Sequence, residues 1–239
     1  MPRKIPPGRF DAVVRAATEE FIARGYHRTQ MSDVARAVGV SKATLYLYVE
    51  SKESLFALCQ RHADRAGEIE MPPVLPVPAP SQDEALEDAA KRIERASALP
   101  VLSDALTRER SESIADELRD VVAESYDLQE RNCRTIKLMD RCADHPTFGP
   151  LWQQSGREAH RGRLARYMEL RMRAGQIRDD LEPRLAARLV VETIATWAVH
   201  IKWDRRPESF EPVSTREHVI EYVARGLEVR SAPSEETRR

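Results

Sequence analysis

The chain has 239 residues, of which 41% are hydrophobic and 32% charged, and only nine are glycine. This composition excludes a disordered or fibrous protein and favours helices over sheets. The net charge of −1 is uneven: residues 1–52 contain nine Lys/Arg against five Asp/Glu, 9 − 5 = +4, which leaves −5 for the rest. A basic end on an acidic body is typical of a protein that approaches phosphate with one end.

The three cysteines show no metal-binding or disulfide spacing. Cys59, Cys133 and Cys142 are an odd number with no CxxC pair, which predicts reduced, buried thiols and neither a zinc ribbon nor a disulfide framework. No metal site or cofactor is expected. No apolar run approaches the roughly 18 residues that a membrane span needs, and no leader segment is recognisable. We therefore expect a soluble, cytoplasmic protein.

The amino-terminal part is predicted to fold as a short basic arm followed by compact helices. Residues 1–8 are the flexible arm. Hydrophobic residues at helical spacing predict helices over 10–24, 30–38, 41–49 and 51–69. Thr29, Ser41 and Ser51 are placed to cap the last three, and Gly39 ends the second.

Five prolines in residues 72–80 prevent a helix from crossing this stretch. We interpret 71–80 as a semi-rigid linker between a DNA-binding domain with its connecting helix at 9–70 and a body at 81–229. Helices are predicted over 81–99, 101–126, 127–144, 148–174, 183–203 and 214–229. Capping boxes at Ser81–Glu84 and Ser214–Glu217 open the first and the last, and residues 230–239 are predicted to be a disordered tail.

The pattern that indicates function lies in residues 29–52. Ala35 is small where two helices cross, and Gly39 permits the tight turn between them. The apolar residues placed to lock the two helices together are Val34, Val38, Val40, Leu45 and Val49. This is the geometry of a helix-turn-helix, whose second helix enters the major groove. The alternative is an ordinary pair of short helices, but the capped second helix carries exposed Lys, Thr and Tyr and favours DNA binding.

At these residues the chain resembles the TetR family (TetR/AcrR type) of transcriptional regulators. The resemblance covers about residues 9–60 and is carried by Phe21, Gly25-Tyr26, Thr29, Asp33-Val34-Ala35, the run Gly39 to Tyr46, Tyr48-Val49 and the run Ser51 to Leu55. The body matches only through its helical layout and the runs Gly175 to Arg178 and Asp180 to Pro183. The resemblance implies an all-α fold: a three-helix helix-turn-helix head and a larger carboxy-terminal helical domain for ligand binding and dimerisation.

The resemblance also assigns DNA contacts. It implies base-edge contacts from Ser32, Lys42, Ala43, Thr44 and Leu47. It implies phosphate contacts from Thr29, Gln30, Tyr46, Tyr48 and Lys52, although Tyr46 could instead be a packing residue. Leu47 stands where relatives often carry a polar residue, and Glu50 brings a negative charge near DNA, so the operator sequence cannot be carried over from a relative.

The resemblance further implies a homodimer and an effector site. Dimerisation is expected through the last two helices, with Leu185, Leu189, Ile194, Ile201, Val219, Ile220, Val223 and Leu227 at the interface. Candidate residues of an effector pocket are Tyr126, Ile136, Met139, Phe148, Trp152, Tyr167, Met168, Met172 and Trp197, which favour an apolar or aromatic small molecule. An aromatic residue or Met at helical spacing is more often a core residue than a ligand contact. Six arginines between 157 and 173 spread around their helix, which predicts a solvated surface.

These observations predict a ligand-responsive regulator that binds a palindromic operator as a dimer. A repressor released by its effector through a population shift fits best. An enzyme is not expected, because no catalytic fingerprint occurs and the six histidines are scattered. Two alternatives stay open: an activator, and a helical DNA-binding dimer that responds to a protein partner instead of a small molecule.

Overall fold

The computed structural model of the chain describes residue 6 and residues 8–229, so most of the predicted basic arm and the whole tail at 230–239 lie outside the described residues. Within the described part there are helices and no strand, which confirms the all-α prediction. The α-helices are α1 (Arg9–Arg24), α2 (Met31–Val38), α3 (Lys42–Leu45), α4 (Lys52–His62), α5 (Gln82–Ala96), α6 (Pro100–Ala105), α7 (Ile114–Arg131), α8 (Cys133–Arg141), α9 (Phe148–Leu151), α10 (Ala159–Arg173), α11 (Pro183–Ala198) and α12 (Pro212–Leu227). A π-helical segment (Trp152–Glu158) joins α9 to α10, and a 3-10 turn (His200–Trp203) follows α11.

Three of the predicted helix caps are confirmed. The hydroxyl oxygen of Ser41 accepts from the Thr44 amide at 3.0 Å at the start of α3. Ser51 accepts from the Ser54 amide at 3.1 Å and begins α4, and Ser81 caps α5. Each hydroxyl satisfies an amide that the first helical turn leaves without a partner.

Several helix bounds differ from the prediction: the stretches predicted as 101–126 and 127–144 form α6, α7 and α8, with α7 continuous past residue 126, and α3 ends at Leu45 rather than near residue 49. Three further differences concern single helix ends. The N-cap of α2 is Gln30 rather than Thr29. α4 ends at His62 rather than near residue 69, and soon afterwards the Asp64 carboxylate accepts from the first amides of α8. The last helix begins at Pro212, before the predicted Ser214 cap, because the Glu211 carboxylate accepts from the amides of the first turn. The distant partner of Asp64 leaves no local sequence pattern.

The described residues divide into two compact units, those up to residue 97 with 131–157 and those of 98–130 with 158–229. The core of the first unit is aromatic. The Phe21 and Phe56 rings meet edge to face with centroids 5.0 Å apart, and the Tyr26 and His145 rings lie 4.3 Å apart. Burial lowers the pKa of His145 to about 4, so its ring is neutral, and its Nδ1 accepts from the Thr147 amide.

The proline-rich stretch makes backbone hydrogen bonds with the head. The Val77 amide donates to the Tyr48 carbonyl at 2.8 Å, and the Glu50 amide donates to the Val77 carbonyl at 3.0 Å. Val77 therefore lies beside the turn that follows α3. The domain limits drawn from the sequence stay a prediction.

In the second unit α10, α11 and α12 pack in succession. Ion pairs fix α12 to α7: the Arg216 guanidinium donates to both oxygens of Asp127 at 2.7 Å, and Arg119 donates to Glu221 at 2.8 Å. The Arg178 amide donates to the Leu227 carbonyl at 3.0 Å. The segment after α10 is therefore joined to the end of α12.

The interior of the second unit contains an ion pair. Arg171 on α10 is fully buried, although the spread of arginines predicted a solvated surface, and for this residue that prediction is wrong. Its Nε donates to Glu117 Oε1 at 2.7 Å, and its terminal nitrogens donate to the carbonyls of Ala105 and Arg108. Burial acts to raise the pKa of Glu117, but the bonds from Arg171 and its neighbours hold that pKa below its usual value.

The cysteines are free thiols. Cys59 and Cys142 are buried as predicted, and Cys133 is half-buried. Burial raises the pKa of Cys59 and of Cys142 to about 12, so neither is a reactive thiolate at neutral pH. Across the described residues, no group of three or more His, Cys, Asp or Glu is arranged to hold a metal ion, and no helix is long and apolar enough to cross a membrane.

Candidate DNA-binding surface and effector site

The turn between α2 and α3 has the backbone that a helix-turn-helix requires. Gly39 has φ 75° and ψ 36°, the left-handed conformation that side chains with a Cβ rarely adopt. Its amide donates to the Arg36 carbonyl at 3.1 Å, and the Val40 amide donates to the Ala35 carbonyl at 2.9 Å. These bonds close the end of α2 and set the direction in which α3 leaves.

The α3 region, residues 41–49, has one side buried in the core and the other exposed to solvent. Leu45 and Val49 are completely buried, together with Val34 and Ala35 of α2. The side chains of Lys42, Ala43 and Leu47 are exposed and Thr44 is half-buried. The α3 region is therefore anchored by its buried residues and exposes Lys42, Ala43 and Leu47.

The implied base-reading residues are available to different degrees. The Lys42 amine lies 5.9 Å from the centroid of the Tyr46 ring, and both side chains are exposed. The Thr44 hydroxyl is hydrogen-bonded to that of Ser41 at 2.8 Å. Ser32 is half-buried and donates to the Gln30 amide oxygen at 3.4 Å. Lys42 is the positively charged residue among the five implied base-reading residues.

The implied phosphate-binding residues fall into two groups. Gln30 and Tyr46 are exposed, and Lys52 is half-buried with its amine 4.3 Å from the centroid of the Tyr26 ring. Thr29 and Tyr48 are buried. The Thr29 hydroxyl donates to the Gly25 carbonyl at 2.8 Å, so Thr29 holds the turn after α1.

The residues predicted to line an effector pocket lie in both compact units. Ile136, Met139, Phe148 and Trp152 belong to the first unit, and Tyr126, Tyr167, Met168, Met172 and Trp197 belong to the second. Phe148 is part of the aromatic core around Phe56, with ring centroids 5.8 Å apart.

Two of these residues have specific polar partners. The Trp152 indole donates to Asp140 at 2.9 Å, and the ring leaves no room for a Cβ at Gly156, which would lie 2.3 Å from it. The Tyr167 hydroxyl donates to Glu117 at 3.1 Å. Both aromatic side chains are thereby held within their own units.

The predicted interface residues divide into buried and exposed ones. Ile194, Val219, Ile220, Val223 and Leu227 lie in the core of the chain itself, and Ile201 is half-buried. Leu185 and Leu189 on α11 are 50% and 52% exposed. Two further exposed aromatic residues lie nearby, Phe210 and Tyr222, and neither was predicted from the sequence. Helical spacing on α12 could have indicated Tyr222.

An open groove of about 700 Å³ lies between α11 and α12. Its lining is mostly apolar and includes Trp197, Phe210, Val219 and Tyr222, with His218 among the polar members. The Trp197 and Phe210 rings meet edge to face with centroids 5.7 Å apart. Tyr222 is 76% exposed. This face of the second unit therefore offers a contiguous apolar surface to a partner.

Comparison with known proteins separates the head from the body. Residues 13–59 match the profile described as "Bacterial regulatory proteins, tetR family". The chain is 48% identical over 50 residues to the HTH-type transcriptional activator FasR of Mycolicibacterium smegmatis, a match that covers 20% of this chain and 23% of that protein. The chain thus aligns with about a quarter of the length of the curated relatives it matches.

Solved structures resemble the chain over nearly its whole length. The ketosteroid transcriptional regulator KstR2 of Mycobacterium tuberculosis is 16% identical with a TM-score of 0.55, and the match covers 95% of this chain and 98% of that one. A TetR family transcriptional regulator from Chloroflexus aurantiacus is 14% identical with a TM-score of 0.55, covering 95% and 96%. At these identities the likeness shows the fold, a helix-turn-helix head with a larger helical domain.

Proposed function

We propose that the chain, whose residues 13–59 match the TetR family of bacterial regulatory proteins, is a transcriptional regulator that binds a palindromic operator as a homodimer and is controlled by a small-molecule effector. The observation that supports this best is the α3 region, which is anchored by buried Leu45 and Val49 and exposes Lys42, Ala43 and Leu47. Such an element fits the major groove.

Within this proposal the contacts with DNA differ in kind. Lys42 donates to guanine O6 or N7, and Ala43 or the Thr44 methyl contacts a thymine methyl. Gln30, Tyr46 and Lys52 contact phosphates and position the head without reading sequence. Thr29 and Tyr48 support these residues from the core, since both are buried.

Dimerisation is proposed through the outer face of α11 and α12. One head reads only a half-site, so two must be held one or more turns of DNA apart. Leu185, Leu189, Phe210 and Tyr222 are exposed apolar side chains on or beside these helices, and large apolar side chains left exposed together are typical of a protein interface. The buried residues Ile194, Val223 and Leu227 support this face from beneath.

The effector is proposed to act by shifting a population. A ligand that binds one conformation of the body more tightly changes the spacing of the heads, and its leverage equals its differential affinity for the two conformations. The repressor form of this mechanism requires that the unliganded dimer binds the operator and that the effector releases it.

A fluorescence anisotropy titration of palindromic fragments from the chain's own promoter region tests the proposal. We expect binding whose logarithm falls linearly with the logarithm of salt concentration, because bound phosphates release counterions. Fragments carrying a single half-site should bind more weakly. Absence of salt-dependent binding to every palindromic fragment would contradict the proposed function.

Activation is the second candidate, and it is favoured by one observation: the relative that is 48% identical over 50 residues is named a transcriptional activator. Activator and repressor share the same head, and the position of the operator relative to the promoter decides between them. Transcription from the chain's promoter in vitro, with and without the purified protein, separates the two, since a repressor lowers the yield of transcript and an activator raises it.

A further inference from the structure

Among the described residues of the second unit, three polar side-chain atoms are buried without a hydrogen-bond partner. They are Ser125 Oγ and Gln129 Nε2 on α7 and His160 Nε2 on α10. Ser125 and Gln129 are buried as whole residues. Polar atoms removed from water are nearly always hydrogen-bonded in folded proteins, so each such atom requires an explanation.

The register of α7 and α10 places these three residues at a similar height along the two helices. Near one end, Arg171 and Tyr167 of α10 bond to Glu117 of α7. Further along, Arg163 bonds to the Leu99 carbonyl, while Glu124 accepts from the amides of Val101 and Leu102 in the same turn of α6. The two helices therefore run antiparallel.

One further turn along both helices reaches the unpartnered atoms. His160 lies three residues beyond Arg163, about 4.5 Å along the axis, and Ser125 and Gln129 lie about 1.5 and 7.5 Å beyond Glu124. His160 precedes Leu164, Tyr167 and Arg171 by four, seven and eleven residues, which puts it on the buried face of α10.

The three side chains offer hydrogen bonds without charge. The Ser125 hydroxyl donates and accepts, the Gln129 amide nitrogen donates, and His160 Nε2 does either according to its tautomer. Burial, with Arg163 and Arg161 adding to its effect, lowers the pKa of His160 to about 4, so the ring is neutral near pH 7. The buried side chains of Val122, Tyr126, Leu164 and Met168 on the same helices are largely apolar.

We propose that Ser125, Gln129 and His160 form the hydrogen-bonding end of the effector site, and that this site selects a neutral molecule bearing a carbonyl or hydroxyl group over a pure hydrocarbon. A carbonyl oxygen accepts from Gln129 and Ser125, and a hydroxyl also donates to His160. A hydrocarbon leaves all three atoms without partners and gains nothing from them. The proposal rests on the proposed function only in taking the second unit as the effector-binding body.

Two probes of nearly equal shape test it on the full-length protein: cyclohexanone and methylenecyclohexane, which differ in one oxygen. Saturation-transfer NMR titrations give the Kd of each. We expect cyclohexanone to bind roughly tenfold tighter, the effect of about one neutral hydrogen bond. The double substitution Ser125→Ala with Gln129→Leu should reduce the preference to within about twofold.

The matched control carries the same substitutions on exposed residues, Gln154→Leu with Ser155→Ala, and should keep the preference. We expect the Ser125→Ala, Gln129→Leu variant to melt at or above the Tm of the wild type, because it removes atoms that lack partners. In protein labelled with 15N-histidine, cyclohexanone should shift the Nε2 resonance that His160→Gln removes.

Equal binding of the two probes, or no binding of either, overturns the proposal. A lowered Tm of the Ser125→Ala, Gln129→Leu variant without probe preference in the wild type identifies a site for buried water only. Operator binding measured on the same preparations distinguishes a failure of this inference from a failure of the proposed function. If the wild type binds its operator but does not distinguish the probes, this inference fails and the proposed function stands; loss of operator binding counts against the proposed function alone.

Discussion

The core of the head and the core of the second unit are built from different kinds of residues. The core around α1 and α4 is built from interlocking rings such as Phe21 and Phe56, whereas the second unit places the charged pair Glu117 and Arg171 in its interior. The head is 48% identical to one relative over 50 residues, while structural relatives over the whole chain are 14–16% identical. The sequence match is therefore much closer in the head than over the whole chain.

The largest expected effect is on the buried ion pair. Arg171→Met leaves the Glu117 carboxylate buried without its cation, and we expect it to lower the free energy of unfolding by about 3–5 kcal/mol. Urea denaturation followed by circular dichroism measures this. Combining Arg171→Met with Glu117→Gln removes the unpaired charge and should recover part of the loss. A single substitution without effect would mean that the pair contributes nothing to the second unit.

The Glu117–Arg171 pair also makes the stability of the protein depend on pH. The pKa of Glu117 is lower in the folded protein than its usual value, so its stabilising contribution is complete above the unfolded pKa and is lost as pH falls through the folded pKa. The wild type should therefore lose stability on acidification more steeply than the Arg171→Met, Glu117→Gln variant. Parallel stability profiles against pH would contradict this reading.

The next effect concerns the face of α11 and α12. Leu189→Glu places a charge in the proposed interface of each copy, and we expect dimer affinity to fall at least about a hundredfold, roughly 3 kcal/mol. Sedimentation velocity measures the loss, and operator affinity should fall with it. Leu189→Met is the matched control and should stay dimeric. A dimer that tolerates Leu189→Glu would place the interface elsewhere.

Substitutions of two lysines in the head distinguish a contact with a base from a contact with phosphate. Lys42→Ala should weaken operator binding by about 1–3 kcal/mol and relax specificity at one base pair, because Lys42 is proposed to contact a base. Lys52→Ala should weaken binding to all sequences alike and reduce the salt slope by about one. Anisotropy titrations at several salt concentrations measure both. Equal loss on every sequence for the two variants would refute the assignment of Lys42 to a base.

The smallest expected effect is on the cap of α3. Ser41→Ala removes the acceptor for the Thr44 amide and should cost about 1 kcal/mol of stability. Ser41→Asn preserves an N-cap and should cost less, which thermal unfolding of the two variants measures. Equal Tm values for Ser41→Ala and the wild type would show that α3 depends on its buried residues alone.

The sequence predicted those features whose causes are local. The caps at Ser41, Ser51 and Ser81 and the turn at Gly39 follow from residues within four positions, and the structure contains them. The end of α4 was missed because Asp64 bonds to amides 70 and 71 residues away. The burial of Arg171 was missed because its partners lie on other helices, although its spacing from Leu164 and Tyr167 could have indicated a buried face.

Protection of guanine N7 from methylation by dimethyl sulfate on the promoter DNA tests the central claim most directly, because N7 lies in the major groove. If the α3 region enters the groove twice per dimer, wild-type protein protects guanines in two symmetric half-sites one or more turns of DNA apart, and Lys42→Ala exposes them again. Binding without any protected N7 would contradict the account.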